Sequence, residues 1–408
     1  MSHHAHVQHR APMRAIMRLE NAAARFDDSR RSRAVLGLVY LLIAAAVTIP
    51  IIFGGGKAMS RIDEPTHADY AYRVSHFEIP AAGSPIAQEI RNEWACMGQE
   101  RYNLPPCGVT ARPWQFPYDG ENYNFPHPPL YYAMVGFPAR LVYQLTPLNF
   151  VQSARLSGMF WLAGGMLMLY VALRRWRVDP ATSMVAPLIM MVFPRVLHAS
   201  TTVNPDAVAP LAGALALWLA ARLFLEDSRD WVLPMVFTGL VGVTKFISVI
   251  PFVALAVLAM ARALRDRGVS GLRKSDWILP VAMGGAIVVP YFIWEAFQAP
   301  RGNPWWINPL VGINTRDVKG LPGSEWIETL FSGFNLASDY YMQPPLDISL
   351  LVMLTRFLNV LVVGAMFAVV VAFAKEPARR SLGWLLMVGV VMYPLAVQVQ
   401  AYISTAVP

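Results

Sequence analysis

The chain has 408 residues, of which 55% are hydrophobic and only 15% are charged, and its mean hydropathy is +0.40. This composition excludes an ordinary soluble protein and indicates an integral membrane protein. The net charge of +8 therefore raises the question of which membrane face holds the basic residues, and it does not indicate a nucleic-acid partner.

Long apolar runs predict about nine membrane-spanning helices, because roughly 20 apolar residues cross the hydrocarbon core of a bilayer. Seven runs have the length of a single span: 34–53, 151–173, 182–199, 206–224, 276–298, 350–374 and 382–400. Another run, 231–262, is about 1.5 times the length that one span needs. We divide it into two short spans that meet on the outer side at Lys245.

Residues 1–33 contain four His and seven Arg without an apolar core, which predicts a disordered cytoplasmic tail rather than a signal peptide. The remainder, 34–408, is predicted to form one transmembrane domain. With the N-terminus inside, the inner segments hold 19 Lys and Arg in 67 residues, whereas the outer segments hold 11 in about 160. This bias supports the chosen orientation.

Two outer segments, 54–150 and 299–349, are too long to be simple connections. The first ends in an apolar stretch, 130–145, that Pro138 and Arg140 interrupt. We predict that this stretch is an amphipathic helix lying at the membrane interface. Because long loops commonly carry function, we expect the chemistry on the outer face.

The two cysteines of the chain, Cys96 and Cys107, both lie in the first outer loop. An oxidising compartment would let them form a disulfide, which stabilises such a loop by roughly 3 kcal/mol in the chain-entropy model. The alternatives are two unrelated thiols or a metal-binding pair, although no third or fourth ligand lies nearby in the sequence.

Five ionisable residues inside the predicted spans lie near outer ends: Arg155, Arg195, Lys245, Glu295 and Arg356. Such residues are costly in hydrocarbon unless they are paired or reach water, so they are functional candidates. One alternative is that the long side chains only extend to the headgroups. Four cations at one depth would instead bind an anion such as a lipid phosphate.

Two adjacent carboxylates, Asp63 and Glu64, follow the first span closely. A carboxylate at the membrane surface can act as general base for an acceptor hydroxyl, and the alternative is a helix cap. The four histidines beyond the tail also fall in outer segments, but no HxxH or HxxxH spacing among them supports a metal site.

Five motifs occur in chain order: Asp63-Glu64-Pro65-Thr66-His67, Phe125-Pro126-His127-Pro128-Pro129-Leu130-Tyr131-Tyr132, Ala154-Arg155-Leu156, Asn204-Pro205-Asp206-Ala207 and Val243-Thr244-Lys245-Phe246. Together they resemble the GT-C superfamily of polyprenyl-phosphate-dependent glycosyltransferases. Within it, the chain is most similar to the DUF2142 group of predicted membrane proteins, and more distantly to the protein mannosyltransferase and aminoarabinose transferase branch. The DUF2142 pattern ends in Gln-Gly-Arg-Tyr, whereas this chain has Gln400-Ala401-Tyr402.

The resemblance implies three groups of site residues. The catalytic base would be Asp63, with its neighbour Glu64 as the fallback. The donor-phosphate site would use Lys245, Arg155 and His127, although His127 stands where relatives commonly have a basic residue; Arg356 and Arg195 are added to it because of their depth in the predicted spans. The acceptor would be oriented by Asp206, His67 and Tyr131. No cofactor is predicted; a divalent metal, if one were used, would bind at Asp63 and Asp206.

The implied reaction is inverting transfer of one sugar from a polyprenyl-phosphate donor to a glycan, lipid or protein on the outer face of a bacterial plasma membrane. The loop 299–349 would close over the donor. One alternative is a transporter or flippase, which requires charges along a path through the membrane. A polymerase or ligase that uses a pyrophosphate-linked oligosaccharide and a purely structural subunit are the others.

Overall fold

The protein is described here by a computed structural model, which covers residues 30–55, 58–100, 102–303, 305–306 and 349–406. Across these ranges the chain is helical, and its only extended pairings are two isolated bridges, Met59 with Gln99 and Pro85 with Glu121. The predicted fold class, an all-α polytopic membrane protein, is confirmed.

The described part of the chain forms fourteen α-helices. They are α1 (Arg30–Pro50), α2 (Glu64–Ser75), α3 (Gln88–Met97), α4 (Leu130–Leu145), α5 (Phe150–Arg155), α6 (Ser157–Arg175), α7 (Pro180–Val185), α8 (Pro194–Thr201), α9 (Ala209–Phe224), α10 (Val232–Thr244), α11 (Ile250–Arg267), α12 (Lys274–Gln298), α13 (Ser349–Ala372) and α14 (Pro377–Ala406). Short 3₁₀ segments include Pro113–Gln115, Pro117–Gly120, Ala186–Val192, Pro205–Val208 and Phe246–Val249.

Six helical segments of the described chain are long and apolar enough to cross a membrane: Arg30–Gly54, Phe150–Arg175, Pro205–Phe224, Phe246–Arg267, Lys274–Gln298 and Met353–Ala372. They correspond to six of the predicted spans. Two further predicted spans, 231–244 and 382–400, form α10 and α14. The total of nine spans stays a prediction.

The predicted span 182–199 is not one straight helix. Its two parts, Pro180–Met191 and Pro194–Thr201, are bent by 71° and count as a seventh crossing if they form one span. The bend lies at Pro194, which has no backbone N–H to donate and disfavours helical geometry at the residue before it. Phe193 accordingly has extended backbone angles, φ −90° and ψ 119°.

The predicted tail and the second outer loop lie largely outside the described residues. Helix α1 begins at Arg30, so the last four residues predicted as tail are helical. Of the second outer loop, the structure describes residues 299–303 and 305–306, which contact the first loop, and Ser349, where α13 begins. Asn303 donates its backbone N–H to the carbonyl of Ala82 at 3.0 Å, and the Trp306 indole donates to Glu121 at 2.6 Å.

The first outer loop folds around a hydrophobic core of its own, formed mainly by α2 to α5. Helix α4 packs closely on α2 at Gly136. A Cβ atom at this position would lie 2.2 Å from the Ala71 carbonyl oxygen, so the contact has no room for a side chain. Along the other side of α4 the large apolar residues are exposed: Met134, Phe137, Leu141 and Leu145. This spacing gives one apolar helix face, as expected of a helix lying on a membrane.

The bundle beneath this loop consists of helices packed in pairs. Helix α6 packs against α1 and α9, α10 against α12, α11 against α12 and α14, and α13 against α14. At the helix ends away from the outer loop, arginines pair with acids, as in Arg175 with Glu226 and Arg262 with Asp227. The folded loop therefore lies at the opposite ends of the helices from this basic face.

Candidate active site

Asp63 is held in an unusual backbone conformation where α2 begins. Its φ of 56° is left-handed, which costs free energy for most residues but is tolerated by Asp more readily than by bulky residues. The Tyr123 hydroxyl donates to its Oδ1 at 2.9 Å. Burial raises the pKa of this carboxyl; the hydrogen bond from Tyr123 and the charge of Lys245 oppose that rise without cancelling it.

Glu64 is fully buried and engaged with Arg155. The Arg155 Nε and Nη2 atoms donate to Oε1 and Oε2 of Glu64, each at 2.8 Å. The backbone N–H groups of Ser60 and Val203 donate to the same carboxylate at 2.6 and 2.9 Å. Burial by itself would raise the pKa of Glu64, but Arg155 and these hydrogen bonds outweigh it and hold the pKa below its ordinary value. The sequence predicted separate chemical roles for Glu64 and Arg155, whereas the structure pairs them with each other.

Lys245 and Asp206 form an ion pair, with 3.2 Å between Nζ and Oδ1. The helix break predicted at Lys245 is present, since α10 ends at Thr244 and Lys245 is extended, with φ −152° and ψ 108°; that each half spans the membrane stays a prediction. Asp206 lies at the first turn of the Pro205–Val208 segment, which the Asn204 side chain caps. The charge of Lys245 lowers the pKa of Asp63, and the charge of Asp206 raises it. Three predicted site residues from three parts of the sequence therefore share one electrostatic cluster.

Two predicted histidines also belong to this neighbourhood. The ring centroids of His67 and His127 are 6.0 Å apart, and His67 Nδ1 lies 2.9 Å from the Tyr132 hydroxyl. Burial, reinforced by the charge of Lys245, lowers the pKa of His127 to about 3 and that of His67 well below its ordinary value. Both rings are thus neutral at neutral pH, and His127 does not bring a positive charge to the site. Tyr131, also fully buried, lies in the same α4 turn as Tyr132.

A cavity of about 450 Å³ opens beside Asp206. Its wall is mostly apolar, from Met190, Val196, Ile247, Ile250 and Pro251, among other residues. Its polar groups include Arg195, His198 and Asp206. The volume is in the range of ligand-binding cavities. Arg195, which was predicted from its depth in the membrane span, therefore lines the same cavity as Asp206. His198 Nε2 lies 2.8 Å from Ser60 Oγ.

The last predicted phosphate ligand, Arg356, lies exposed on α13, which packs on α14 and on Ala186–Val192. Within the described ranges, no group of three or more His, Cys, Asp or Glu side chains is arranged to hold a metal ion.

Two residues near Asp63, Tyr123 and Asn122, belong to none of the sequence motifs. Tyr123 contacts Asp63 directly, and the Asn122 amide donates to Asp69 at 2.7 Å and to the Thr66 carbonyl at 2.9 Å. Both lie in a loop without helical or strand periodicity. The available signal was the density of aromatic and amide residues in 118–125, immediately before a recognised motif.

The two cysteines are paired in the structure. Cys96, at the end of α3, forms a disulfide with Cys107, with 4.3 Å between their Cα atoms. The enclosed segment contains Tyr102, and Gln99 within it donates from Nε2 to the Ser60 carbonyl at 2.6 Å. The disulfide thus braces a segment that contacts the chain just before Asp63.

One comparison with known proteins gives a match. Residues 126–294, about two fifths of the chain, match the family model described as dolichyl-phosphate-mannose-protein mannosyltransferase. No curated protein and no solved structure matches the chain. The matched segment contains His127, Arg155, Asp206 and Lys245, and it begins after Asp63. The match supports the resemblance to the GT-C superfamily, and with it a membrane glycosyltransferase.

Proposed function

We propose that this protein transfers one sugar, with inversion, from a polyprenyl-phosphate donor to an acceptor on the outer face of a bacterial plasma membrane. One observation carries the proposal: Asp63, Asp206 and Lys245 share an electrostatic cluster beside a mostly apolar cavity at the outer helix ends. A general base, a cation and an apolar groove are the three requirements of this reaction.

The donor would occupy the cavity that Arg195 and Asp206 line. Its first isoprene units would lie against the apolar wall, and its phosphate would lie at the polar end near Lys245. A phosphate there would draw Lys245 from Asp206 toward itself, because a charge-assisted hydrogen bond to phosphate competes with the existing pair. Asp206 would keep the lysine oriented until the donor binds.

The transfer step needs one base and one stabilised leaving group. The acceptor oxygen attacks the anomeric carbon while the bond from that carbon to the phosphate oxygen breaks. The electron pair of the broken bond goes to the phosphate, whose negative charge Lys245 and Arg195 stabilise. The acceptor proton goes to the Asp63 carboxylate. Because Asp63 and the phosphate act on opposite faces of the sugar, the anomeric configuration inverts.

Glu64 and Arg155 would position the base rather than react. The Glu64 carboxylate already accepts four hydrogen bonds from Arg155 and two backbone groups. An acceptor proton would have to displace one of these bonds in a buried environment. Instead, Glu64, the residue after Asp63, binds Arg155 of α5 and the backbone of Val203, which lies shortly before Asp206. These contacts would fix the position of Asp63 relative to Asp206.

Mass spectrometry of lipids that copurify with the protein from its native membrane tests the donor class. The proposal predicts a polyprenyl monophosphate that carries a single sugar. Incubation with that lipid, radiolabelled in the sugar, should release polyprenyl phosphate, and Asp63→Asn should stop the release while the exposed control Glu89→Gln should not.

Two results would contradict the proposal. A copurifying pyrophosphate-linked oligosaccharide would favour a polymerase or ligase. Movement of a labelled lipid between the leaflets of a proteoliposome, without cleavage of its sugar–phosphate bond, would favour a flippase.

A further inference from the structure

A groove between α11 and α14 lies at the helix ends away from the outer loop, and the transfer step does not use it. Its cavity measures about 310 Å³, which is within the range of ligand-binding cavities. At roughly 30 Å³ for each water-sized atom, this volume holds about ten non-hydrogen atoms, the size of a phosphodiester with a small alcohol. The groove therefore has room for a phospholipid headgroup.

The lining of the groove changes from charged to apolar along its length. Helix α11 runs toward the basic face and α14 runs away from it, so the end of α11 at Arg265 lies opposite the first turn of α14. Arg262 and Ser381 lie about one turn deeper, and Leu258 and Trp384 lie deeper again. A membrane phospholipid has the same order, with a charged headgroup at the surface and apolar chains below it.

Three arginines line the charged end of the groove against one acid, Asp266. Arg265 donates from Nε and Nη2 to Oδ1 of Asp266 at 3.0 and 2.9 Å, and Arg262 Nε lies 3.7 Å from its Oδ2. Arg262 also donates to Asp227, outside the lining, at 2.5 Å. Arg380 forms no ion pair with any residue that the structure describes, and its guanidinium donates to a backbone carbonyl at 3.2 Å. The lining therefore carries two net positive charges.

This excess distinguishes the groove from the rest of the basic face. Elsewhere on that face, three arginines each pair with an acid of their own: Arg175 with Glu226, Arg222 with Asp230 and Arg267 with Asp276. In those pairs the opposite charges balance. The groove combines unbalanced guanidinium groups with a cavity between them, and this combination favours a bound anion over a merely solvated surface.

The groove lies at the depth of the lipid headgroups. The segment Phe246–Arg267 is long and apolar enough to cross a membrane, so Arg262 and Arg265 lie in the last two turns of a crossing. Arginine side chains at such a depth extend toward the headgroups. Trp384 is 43% exposed, and indole rings concentrate at the same boundary. A ligand that enters from the bilayer would therefore meet the arginines and the indole together.

We infer that this groove binds the anionic headgroup of a bilayer phospholipid. The phosphate would lie beside Arg265 and Arg380, and the start of an acyl chain would lie along Leu258 and Trp384. Basic pockets between transmembrane helices are suited to such headgroups, because guanidinium groups donate to several phosphate oxygens at once. The inference is independent of the proposed function, since the groove lies at the opposite helix ends from Asp63.

Native mass spectrometry of the full chain, released from detergent, tests the inference by measuring lipid binding. The probes are phosphatidylglycerol and phosphatidylcholine with the same acyl chains, and glycerol phosphate as a headgroup without chains. We expect one phosphatidylglycerol to bind at least about tenfold more tightly than phosphatidylcholine, because the lining carries two net positive charges. Arg265→Gln and Arg380→Gln should each weaken its binding about fivefold, the effect of one basic residue at a membrane surface.

Asp266→Asn should have the opposite effect, which misfolding could not produce. The change removes the acid that competes with the phosphate for Arg265, so phosphatidylglycerol should bind about fivefold more tightly. The matched controls are Arg175→Gln and Glu226→Gln, which alter the charge of the same face outside the groove. Both should leave the affinity unchanged.

Four results would overturn the inference. Equal affinity for the two phospholipids would show that the groove does not select an anionic headgroup. A loss in Arg175→Gln as large as that in Arg265→Gln would reduce the binding to the general charge of the face. Glycerol phosphate that binds as tightly as phosphatidylglycerol would indicate a free phosphate compound as the ligand. An affinity that Asp266→Asn does not raise would contradict the place assigned to the phosphate.

Discussion

Tyr123 donates its hydroxyl to Asp63 at 2.9 Å, 60 residues away in the chain. Burial raises the pKa of Asp63, and this hydrogen bond, the next largest influence, lowers it by favouring the charged carboxylate. The balance leaves the pKa above its ordinary value. The pH at which Asp63 can accept a proton therefore depends on a residue that no sequence motif identified.

The Tyr123→Phe variant should shift the acid limb of the pH–rate profile. A general base works only when it is deprotonated, so activity falls as the pH drops through the pKa of Asp63. Removing the hydrogen bond raises that pKa further, and the limb should move to higher pH. The measurement is kcat/KM against pH, with Tyr143→Phe as control. An unmoved limb would show that Asp63 is not the titrating base.

Breaking the buried pair of Glu64 and Arg155 should unfold the outer loop more readily. Glu64→Gln or Arg155→Met alone leaves a buried charge without its partner, which typically costs about 3–5 kcal/mol. Joint replacement of both residues should recover part of the loss. Thermal unfolding in detergent measures this, and Arg175→Met in the partly exposed pair with Glu226 should cost at most about 1 kcal/mol.

The same pair predicts a pH effect on stability. Because the folded protein holds the pKa of Glu64 below its ordinary value, the stabilisation is present above the unfolded pKa and is lost as the pH falls toward the folded one. Arg155→Met should remove this acid sensitivity. Single variants as stable as the original chain would indicate that Arg155 is available to the donor phosphate, as the sequence predicted.

Neutralising Lys245 should weaken donor binding without unfolding the protein. Loss of one charge-assisted hydrogen bond costs about 1.5–3 kcal/mol, or roughly tenfold to 150-fold in affinity. Its partner Asp206 has a side chain that is 46% exposed, so Lys245→Met leaves no deeply buried charge behind. Titration with the polyprenyl-phosphate sugar measures the effect, with Arg112→Met as an outer-loop control. Unchanged affinity would mean that Lys245 does not bind the donor phosphate and serves only its ion pair with Asp206.

Cys96 and Cys107 should be joined in protein isolated from its native membrane. Thiol labelling after denaturation should detect no free cysteine until reductant is added. Cys96→Ser should destabilise the loop by about 3 kcal/mol in the chain-entropy model. Two free thiols without reductant would place the loop in a reducing compartment and reverse the proposed orientation.

The shared depth of Asp63, Asp206 and Lys245 could be predicted because run lengths fix which helix ends meet on one face. The helix break at Lys245 could be predicted in the same way, because the apolar run 231–262 is longer than one span needs. The pairing of Glu64 with Arg155, 91 residues apart, could not be predicted, because each residue taken alone looked like a functional charge at a helix end. The bend at Pro194 was not predicted, because the hydropathy of 182–199 does not depend on whether a residue has a backbone N–H to donate within a helix. Tyr123 lies in an irregular loop, where position depends on tertiary contacts.

The most direct test of the central claim is single-turnover sugar release by Asp63→Asn, measured beside its affinity for the donor. Asparagine is close in shape to aspartate but cannot take the acceptor proton. Removal of a positioned base should slow transfer about 10²-fold to 10⁴-fold while donor binding stays near that of the original chain. Near-native turnover by Asp63→Asn would contradict the assignment of Asp63 as the base and the transfer mechanism built on it.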